Sequence, residues 1–208
     1  MDTTFAELGL NERICTGVET LGFDTPTPIQ AAAIPAVLAG KDVVASAQTG
    51  TGKTAAFVLP ALQVIDTDPE GEKTDRPEVQ CQPQDDQQQS SQQQESQRRR
   101  QRGGVRRRNR SRDPQALIVT PPRELATQIE RVATTICKST GQRAVIITGG
   151  AKLKRQISAV QAGCDLLVAT PGRLLDLIEH HQVNLKNIKV FILDEADRIL
   201  DMVFWTRV

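Results

Sequence analysis

Short apolar runs alternate along this chain with longer segments in which apolar residues recur at helical spacing. The runs of strand length predict strands at 42–46, 115–120, 143–148, 165–169 and 188–193. The longer segments predict helices at 53–65, 123–138, 152–162, 171–180 and 197–202, and residues 3–40 predict short helices interrupted near Gly22 and the Pro26/Pro28 pair. This alternation predicts an α/β fold, a parallel sheet with helices on both faces.

The alternation stops at 68–113, where Gln, Ser, Asp and Pro dominate and an Arg-rich tract follows at 98–112. So few apolar residues cannot offset the entropy lost on ordering, so we predict a disordered insertion between the first helix of the α/β region and the second strand. Two interpretations stay open for it. The tract is a tether for nucleic-acid phosphates, with affinity that falls as salt rises, or a solvated insertion without a specific role.

A phosphate-binding loop is predicted where the first strand leads into the next helix. Gly50 and Gly52 let the backbone turn its N–H groups toward phosphates, Lys53 reaches the β- and γ-phosphates, and the Thr54 hydroxyl binds Mg²⁺. The alternative is a glycine-rich turn that binds nothing, and Ala47 stands where the general pattern has glycine. The nucleotide-contacting residues predicted here are Ala47, Gln48, Thr49, Gly50, Thr51, Gly52, Lys53 and Thr54.

Two carboxylates, Asp194 and Glu195, follow the apolar run Val190–Leu193 at the strand end where open α/β sheets bind ligands. Asp194 is predicted to hold Mg²⁺, directly or through water, and Glu195 to orient or deprotonate an attacking water. An acidic helix N-cap is the alternative, and it loses weight beside the phosphate loop. The predicted catalytic residues are therefore Glu195, Asp194 and Lys53.

The sequence Asp194-Glu195-Ala196-Asp197 after such a strand resembles the signature of the DEAD-box RNA helicases. The resemblance covers most of residues 1–202 outside the insertion and implies a RecA-like fold with ATP and Mg²⁺ as ligands. Residues 22–30 resemble the family's Q motif, which implies that Gln30 reads the adenine edge and selects ATP over GTP. The resemblance also implies that Phe5 stacks on adenine, that Phe23 lies at the nucleotide, and that Asp197 couples the motifs.

Three further segments resemble family motifs that touch the RNA sugar-phosphate backbone without reading its sequence. Pro121–Ala126 resembles motif Ia, although Pro122 replaces the usual Thr and so lacks a backbone N–H and a hydroxyl. The other two segments are Gly149-Gly150 and Thr170–Arg173. Taken singly, an ordinary Gly-Gly turn and a Pro-Gly-Arg helix start explain them equally well. The RNA-binding residues implied by the resemblance are Arg123, Gly149, Gly150, Thr170, Gly172 and Arg173.

The predicted organisation is an N-terminal Q-motif region at 1–40, a RecA-like ATP-binding domain at 41–67 and 114–202, the insertion at 68–113, and a divergent tail at 203–208. In the family, a second RecA-like domain with an arginine finger completes the enzyme. The strand that carries the family's Ser-Ala-Thr motif lies between the phosphate-loop strand and the acidic strand, and it would follow Val208. We therefore expect a truncated or frame-shifted product, the alternative being an artificially shortened chain or a partial gene model.

That expectation has consequences for activity and stability. Strands 42–46 and 188–193 should lack a shared neighbour, and the chain alone should be marginally stable and hydrolyse ATP poorly. Two functions stay open: the ATP- and RNA-binding half of an RNA helicase, and a non-enzymatic truncated ATP/RNA-binding module. A P-loop ATPase of another kind, such as a DNA helicase or a transporter subunit, is disfavoured by the Q motif and the acidic motif.

The amino-acid composition limits which partners the chain can bind and where it can be located. The net charge is only +1 and aromatic residues make up 3% of the chain, so RNA affinity must be local and directed to the backbone rather than to stacked bases. The four cysteines have no metal-site spacing, which favours reduced thiols and a cytoplasmic protein. No apolar stretch predicts a membrane span. His180 and His181 are predicted to lie at a solvated helix end, and the RNA, the pathway and the oligomeric state stay open.

Overall fold

The computed structural model describes residues 3–48, 50–66 and 113–200, which form a parallel sheet covered by helices. The strands are β1 (Ala116–Val119), β2 (Ala144–Ile147), β3 (Leu166–Ala169) and β4 (Val190–Leu193). Their order is β2-β3-β1-β4, and every pairing is parallel. The helices are α1 (Glu12–Thr20), α2 (Pro28–Leu38), α3 (Lys53–Val64), α4 (Arg123–Thr140), α5 (Leu153–Gln161), α6 (Pro171–Glu179) and α7 (Ala196–Leu200).

Alternate residues of the strands face two separate cores, which confirms the prediction of helices on both faces. Ile118 of β1 and Val168 of β3 are register partners, and both lie in a core with residues of α1, α3 and α4. Their neighbours Leu117 and Leu167 face the other side and pack with residues of α5 and α6. Because both faces are covered, β1 and β3 consist of fully buried apolar residues.

The segment 42–46, predicted as a buried strand, is not a strand in the structure. Val43 is 39% exposed and Val44 fully exposed, and the segment forms no ladder with β4. The physical reason is the lack of a partner: within the described ranges, β4 pairs only with β1, and an extended segment beside no other strand keeps its backbone groups in water. Within the described residues, 42–46 and β4 form no ladder with each other and share no neighbouring strand.

The N-terminal region is held against α3 and α4 by specific contacts. The Gln63 amide donates to the Gly9 carbonyl at 2.7 Å and accepts the Asn11 N–H at 2.8 Å. Asn11 in turn caps α1, since its side-chain oxygen accepts the Ile14 N–H at 2.9 Å. Gly17 lets α1 approach α4 closely, because a Cβ there would lie 2.8 Å from a methyl group of Ile136. These contacts fix the chain that leads into α2.

None of the described helices is both long and apolar enough to cross a bilayer. The insertion predicted to be disordered at 68–113, except Asp113 at its end, lies outside the described residues, as do the tail at 203–208 and Thr49.

Candidate functional site

The loop before α3 folds back on itself through two side chains. Gly50 and Gly52 both adopt positive φ, +82° and +86°, as the predicted glycine-rich turn requires. The Thr51 hydroxyl donates to the Gln48 carbonyl at 2.7 Å. The Lys53 ammonium donates to the Ala47 carbonyl, also at 2.7 Å. The positively charged end of Lys53 therefore reaches back to Ala47, at the opposite end of the loop.

Gln30 joins α2 to this loop. Its side chain is buried, accepts the Thr27 N–H at 2.9 Å and donates to the Gly52 carbonyl at 3.0 Å. The approach is so close that a Cβ at Gly52 would lie 2.5 Å from the Gln30 amide nitrogen. The amide thus caps the start of α2 and holds the start of α3 at the same time.

The acidic pair follows β4 at the carboxyl edge of the sheet. The Asp194 N–H donates to Val119 of β1 at 2.9 Å, and the Glu195 N–H donates to the Asp194 carboxylate at 3.1 Å. Burial raises the pKa of Asp194, while the Glu195 N–H and the positive charge of Lys53 lower it and the Glu195 charge raises it. The loop lysine and the first carboxylate, far apart in sequence, therefore act on each other electrostatically.

Glu195 has the backbone conformation that side chains rarely adopt, with φ of +52°. Its Oε2 is buried and accepts no hydrogen bond of good geometry within the described residues, and Arg198 Nη1 lies 3.4 Å away as an ion-pair partner. A strained backbone and an incompletely satisfied carboxylate at the same residue are features that cluster at functional sites. Asp197, in the first turn of α7, is exposed.

The donor set suits Mg²⁺ bound with a phosphate ligand rather than an all-protein metal site. The residues that the structure describes contain no group of three or more His, Cys, Asp or Glu able to hold a metal ion. Mg²⁺ is typically held by one or two protein oxygen ligands, substrate phosphates and waters. The partly buried Asp194 carboxylate and the Thr54 hydroxyl at the start of α3 fit that pattern.

The two aromatic residues implied for the nucleotide site pack with the core in this structure. Phe5 is buried in the core beside α1 and α3, and Phe23 is partly buried against the same core. Their roles at adenine stay predictions.

A second group of predicted residues meets at the ends of β1, β2 and β3. The guanidinium of Arg123, at the start of α4, covers the backbone of Gly149 and Gly150 after β2. A Cβ on Gly149 would lie 3.0 Å from Arg123 Nη2, and one on Gly150 would collide with Nη1. Gly150 also has a φ of +83°. The Gly-Gly turn is therefore shaped around the arginine.

Arg173, at the start of α6, points back toward the same turn. Its Nη1 donates to the Gln156 side chain at 3.0 Å and to the Ala151 carbonyl at 3.4 Å, and its Nε lies 3.5 Å from the Asp176 carboxylate. Thr170 is buried, and its N–H donates to Ile147 at 3.0 Å. Gly172 is exposed, with open space where a Cβ would lie.

Gln156 is a residue that the sequence analysis did not identify. It is buried on α5, and its amide donates to the Thr148 carbonyl at 2.9 Å while its oxygen accepts from Arg173. The available signal was a polar residue on the buried face of α5, where Val160 packs one turn further on. That signal could not reveal the partners, because they lie on other elements.

Comparison with known proteins shows that nearly the whole chain is similar to helicases. The model of the family "DEAD/DEAH box helicase" matches residues 27–207. The chain is 37% identical over 200 residues to DEAD-box ATP-dependent RNA helicase 52A of Oryza sativa subsp. japonica and 36% identical over 200 residues to the ATP-dependent RNA helicase RhlB of Vibrio vulnificus. It is also similar to the crystal structure of the RNA helicase Prp28 from Chaetomium thermophilum bound to ADP, with a TM-score of 0.71 and 35% identity.

These matches cover most of this chain but a smaller part of each relative. The chain is covered to 96% by the rice and Vibrio proteins, of which it spans 29% and 38%. It is covered to 97% by Prp28, of which it spans 40%.

Proposed function

Because this chain belongs to the DEAD/DEAH box helicase family, we propose that it is the ATP- and RNA-binding half of an RNA helicase, in which ATP hydrolysis is coupled to remodelling of RNA duplexes. The observation that carries the proposal is that Lys53 of the phosphate loop is near enough to Asp194 of the acidic motif for its positive charge to lower the pKa of that carboxyl. A lysine for phosphates and a carboxylate for a metal ion at one edge of a parallel sheet are the two halves of an NTP·Mg²⁺ site.

The residues of this edge have separate roles in the proposal. Lys53 leaves the Ala47 carbonyl and turns to the β- and γ-phosphates, while the backbone N–H groups of the loop hold the same phosphates. Thr54 and Asp194 hold Mg²⁺, which neutralises phosphate charge when bound. Glu195 orients or deprotonates the attacking water, and its buried Oε2, which accepts no hydrogen bond within the described residues, supports this role.

The adenine base lies toward Gln30 in this proposal. The Gln30 amide presents one donor and one acceptor, the pair that the adenine edge requires and that guanine mismatches. Phe5 and Phe23 are the proposed aromatic neighbours of the base. Asp197 is proposed to couple the acidic motif to the RNA side.

The RNA backbone is proposed to cross the edge formed by Arg123, Gly149, Gly150 and the start of α6 at Thr170, Gly172 and Arg173. Exposed glycine backbone and a helix N-terminus suit phosphate oxygens and read no base. The Arg-rich tract at 98–112 is proposed to add salt-sensitive affinity.

The experiment that tests the proposal is an ATPase assay of this chain, with and without RNA, beside a version completed with a second RecA-like domain. Nucleotide binding by the chain and RNA-stimulated hydrolysis by the completed version are the expected results. A completed version without RNA stimulation would reject the helicase assignment.

The second candidate is a non-enzymatic ATP/RNA-binding module. The exposed segment 42–46, which pairs with no strand among the described residues, favours it, because there the chain leading into the phosphate loop lacks the rigid support of a sheet. Binding of ATP and RNA by the chain, together with negligible turnover that the second domain does not restore, would support this candidate.

A cytoplasmic location is proposed from the state of the thiols. Among the described residues, Cys15 and Cys164 are free thiols, and burial raises the pKa of Cys164 to about 12. Free thiols and a buried, unreactive cysteine fit a reducing compartment.

A further inference from the structure

We infer that Gln156 is a positioning residue that aligns the Gly149-Gly150 turn with the start of α6, so that the two present one continuous surface to an RNA backbone. The inference rests on the proposed RNA-binding function. It assigns to Gln156, a residue outside the recognised motifs, the task of fixing the distance between two of them.

The side chain of Gln156 contacts both segments at once. Its amide N–H donates to Thr148, the residue directly before Gly149, at 2.9 Å. Its oxygen accepts from Arg173, the third residue of α6, at 3.0 Å. Both bonds come from one buried amide on α5, so a change in either segment is felt by the other.

The contacts that do not involve Gln156 connect these segments less directly. Thr170 donates to Ile147, which keeps β2 and β3 in register, but this bond lies before both loops. The direct bond from Arg173 to Ala151 is long, at 3.4 Å. Gln156 therefore supplies the shorter link beyond the strand ends, where the exposed glycines lie.

The contacts of Arg173 within the protein give it a structural role beside the RNA contact that the resemblance implies. Its Nη1 and Nε are directed at Gln156, Ala151 and Asp176 within the protein, and its side chain is only 14% exposed. Arg173 therefore acts through the shape of the surface as well as through its charge. The exposed backbone at Gly150 and Gly172 is then the part of the surface that meets phosphate.

The test compares Gln156→Met, which keeps the length of the side chain and removes both hydrogen bonds, with Gln161→Met. Gln161 lies on the same helix, is exposed, and bonds only to the Gln182 side chain at 3.2 Å among the contacts described. The full 208-residue chain is used, with a labelled oligouridine for RNA and a fluorescent ATP analogue for the nucleotide site.

Gln156→Met should weaken RNA binding about tenfold, the effect of losing two buried hydrogen bonds, and leave the nucleotide affinity unchanged. Gln161→Met should change neither affinity. Wild-type RNA affinity in folded Gln156→Met, or an equal loss in both variants, would overturn the inference. An equal loss of RNA and nucleotide affinity would show general destabilisation instead and would also overturn it.

A double-mutant cycle with Arg173→Lys tests the coupling itself. Lysine keeps the charge but not the paired donation to Gln156 and Ala151, so the double variant should bind RNA no more weakly than the worse single variant. Additive losses would mean that the two residues act independently.

The backbone amide spectrum separates this inference from the proposed function. In Gln156→Met the signals of Gly149, Gly150 and Gly172 should shift together without any RNA, and in Gln161→Met they should not. If the wild type binds no RNA, the proposed function and the RNA role of Gln156 both fail. Unshifted Gly172 signals in Gln156→Met would overturn the alignment of the two segments, whatever the RNA result.

Discussion

Gln30 and Gly52 are joined by a hydrogen bond of 3.0 Å from the glutamine side chain to the glycine carbonyl. The bond ties the helix that carries the Q motif to the last residue before the helix of the phosphate loop. A base that engages the Gln30 amide would therefore compete for, or share, the group that holds the loop. Specificity for the base and the conformation of the loop are linked through one side chain.

Gln30→Glu should therefore lower ATP affinity and reduce the preference for ATP over GTP. The carboxylate still accepts from Thr27 but cannot donate to Gly52, and it places a negative charge against a carbonyl oxygen. We expect about 2 kcal/mol of lost stability as well, from the buried unpaired group. Titrations with ATP and GTP, with exposed Gln128→Glu as the control, measure both effects. Equal ATP and GTP affinities in the wild type would refute the assigned role of Gln30.

Lys53→Ala should abolish measurable nucleotide binding, with a loss of about a hundredfold or more, because the charge that meets the phosphates is removed. The fold should survive, since the lysine side chain is only partly buried and its hydrogen bond goes to the adjacent loop. Calorimetric titration with ATP measures the loss, and Lys186→Ala, in an exposed loop, is the matched control. Unchanged affinity in Lys53→Ala would mean that this loop is not the site.

Asp194→Asn should stabilise the nucleotide-free protein, and the gain should grow as the pH rises. Burial raises the pKa of Asp194 in the folded state, so the folded protein holds the proton more tightly than the unfolded chain. The stability from this group is complete below the unfolded pKa and is lost as the pH rises through the folded pKa. Urea unfolding at a series of pH values from about 4, the ordinary pKa of aspartate, upward measures the gain, with exposed Asp24→Asn as the control. A gain independent of pH would contradict the assignment.

The affinity for Mg²⁺ and nucleotide should rise with pH, whereas the stability contributed by Asp194 falls with pH. The metal needs the ionised carboxylate, so the affinity should fall as the pH drops through the raised pKa of Asp194. Asp194→Asn should bind Mg²⁺·ATP weakly at every pH. A variant that retained wild-type affinity would remove Asp194 from the metal site.

Gly150→Ala should destabilise the protein by about 1–2 kcal/mol, because Gly150 has a φ of +83° and a Cβ would collide with Arg123. RNA affinity should fall with it. Adding Arg123→Ala removes the collision but not the backbone strain, so the double variant should recover part of the stability. Thermal unfolding of both variants separates the two causes. Full recovery would show that backbone strain contributes nothing.

Deletion of 98–112 should weaken RNA binding at low salt and flatten its dependence on salt, if the arginines contact phosphates. The tract lies outside the described residues, so this prediction comes from composition alone. Binding to oligouridine over a range of salt concentrations gives the slope, and replacing the tract with a Gly/Ser segment of equal length controls for chain length. An unchanged slope would favour the inert insertion.

The sequence alone determined the alternation of elements and the identity of the motifs. Apolar runs long enough for strands must be buried, and the helical periodicity between them places helices on the sheet, so the prediction of 171–180 agrees with the observed Pro171–Glu179. The Gly-Lys-Thr loop and the acidic pair were likewise evident from residue type and spacing. That both belong to one nucleotide site was predicted from their positions at strand ends, where open α/β sheets bind ligands, as well as from the resemblance.

Tertiary structure alone decided which segments pair and which side chains meet. Residues 42–46 have the composition of a strand but remain exposed, because a strand exists only through hydrogen bonds to a neighbour that its own sequence does not specify. Gln156 is polar in a buried position, and only the packed loops reveal that Thr148 and Arg173 satisfy it. Local patterns record where a residue must be buried, whereas its partners depend on elements far away in the chain.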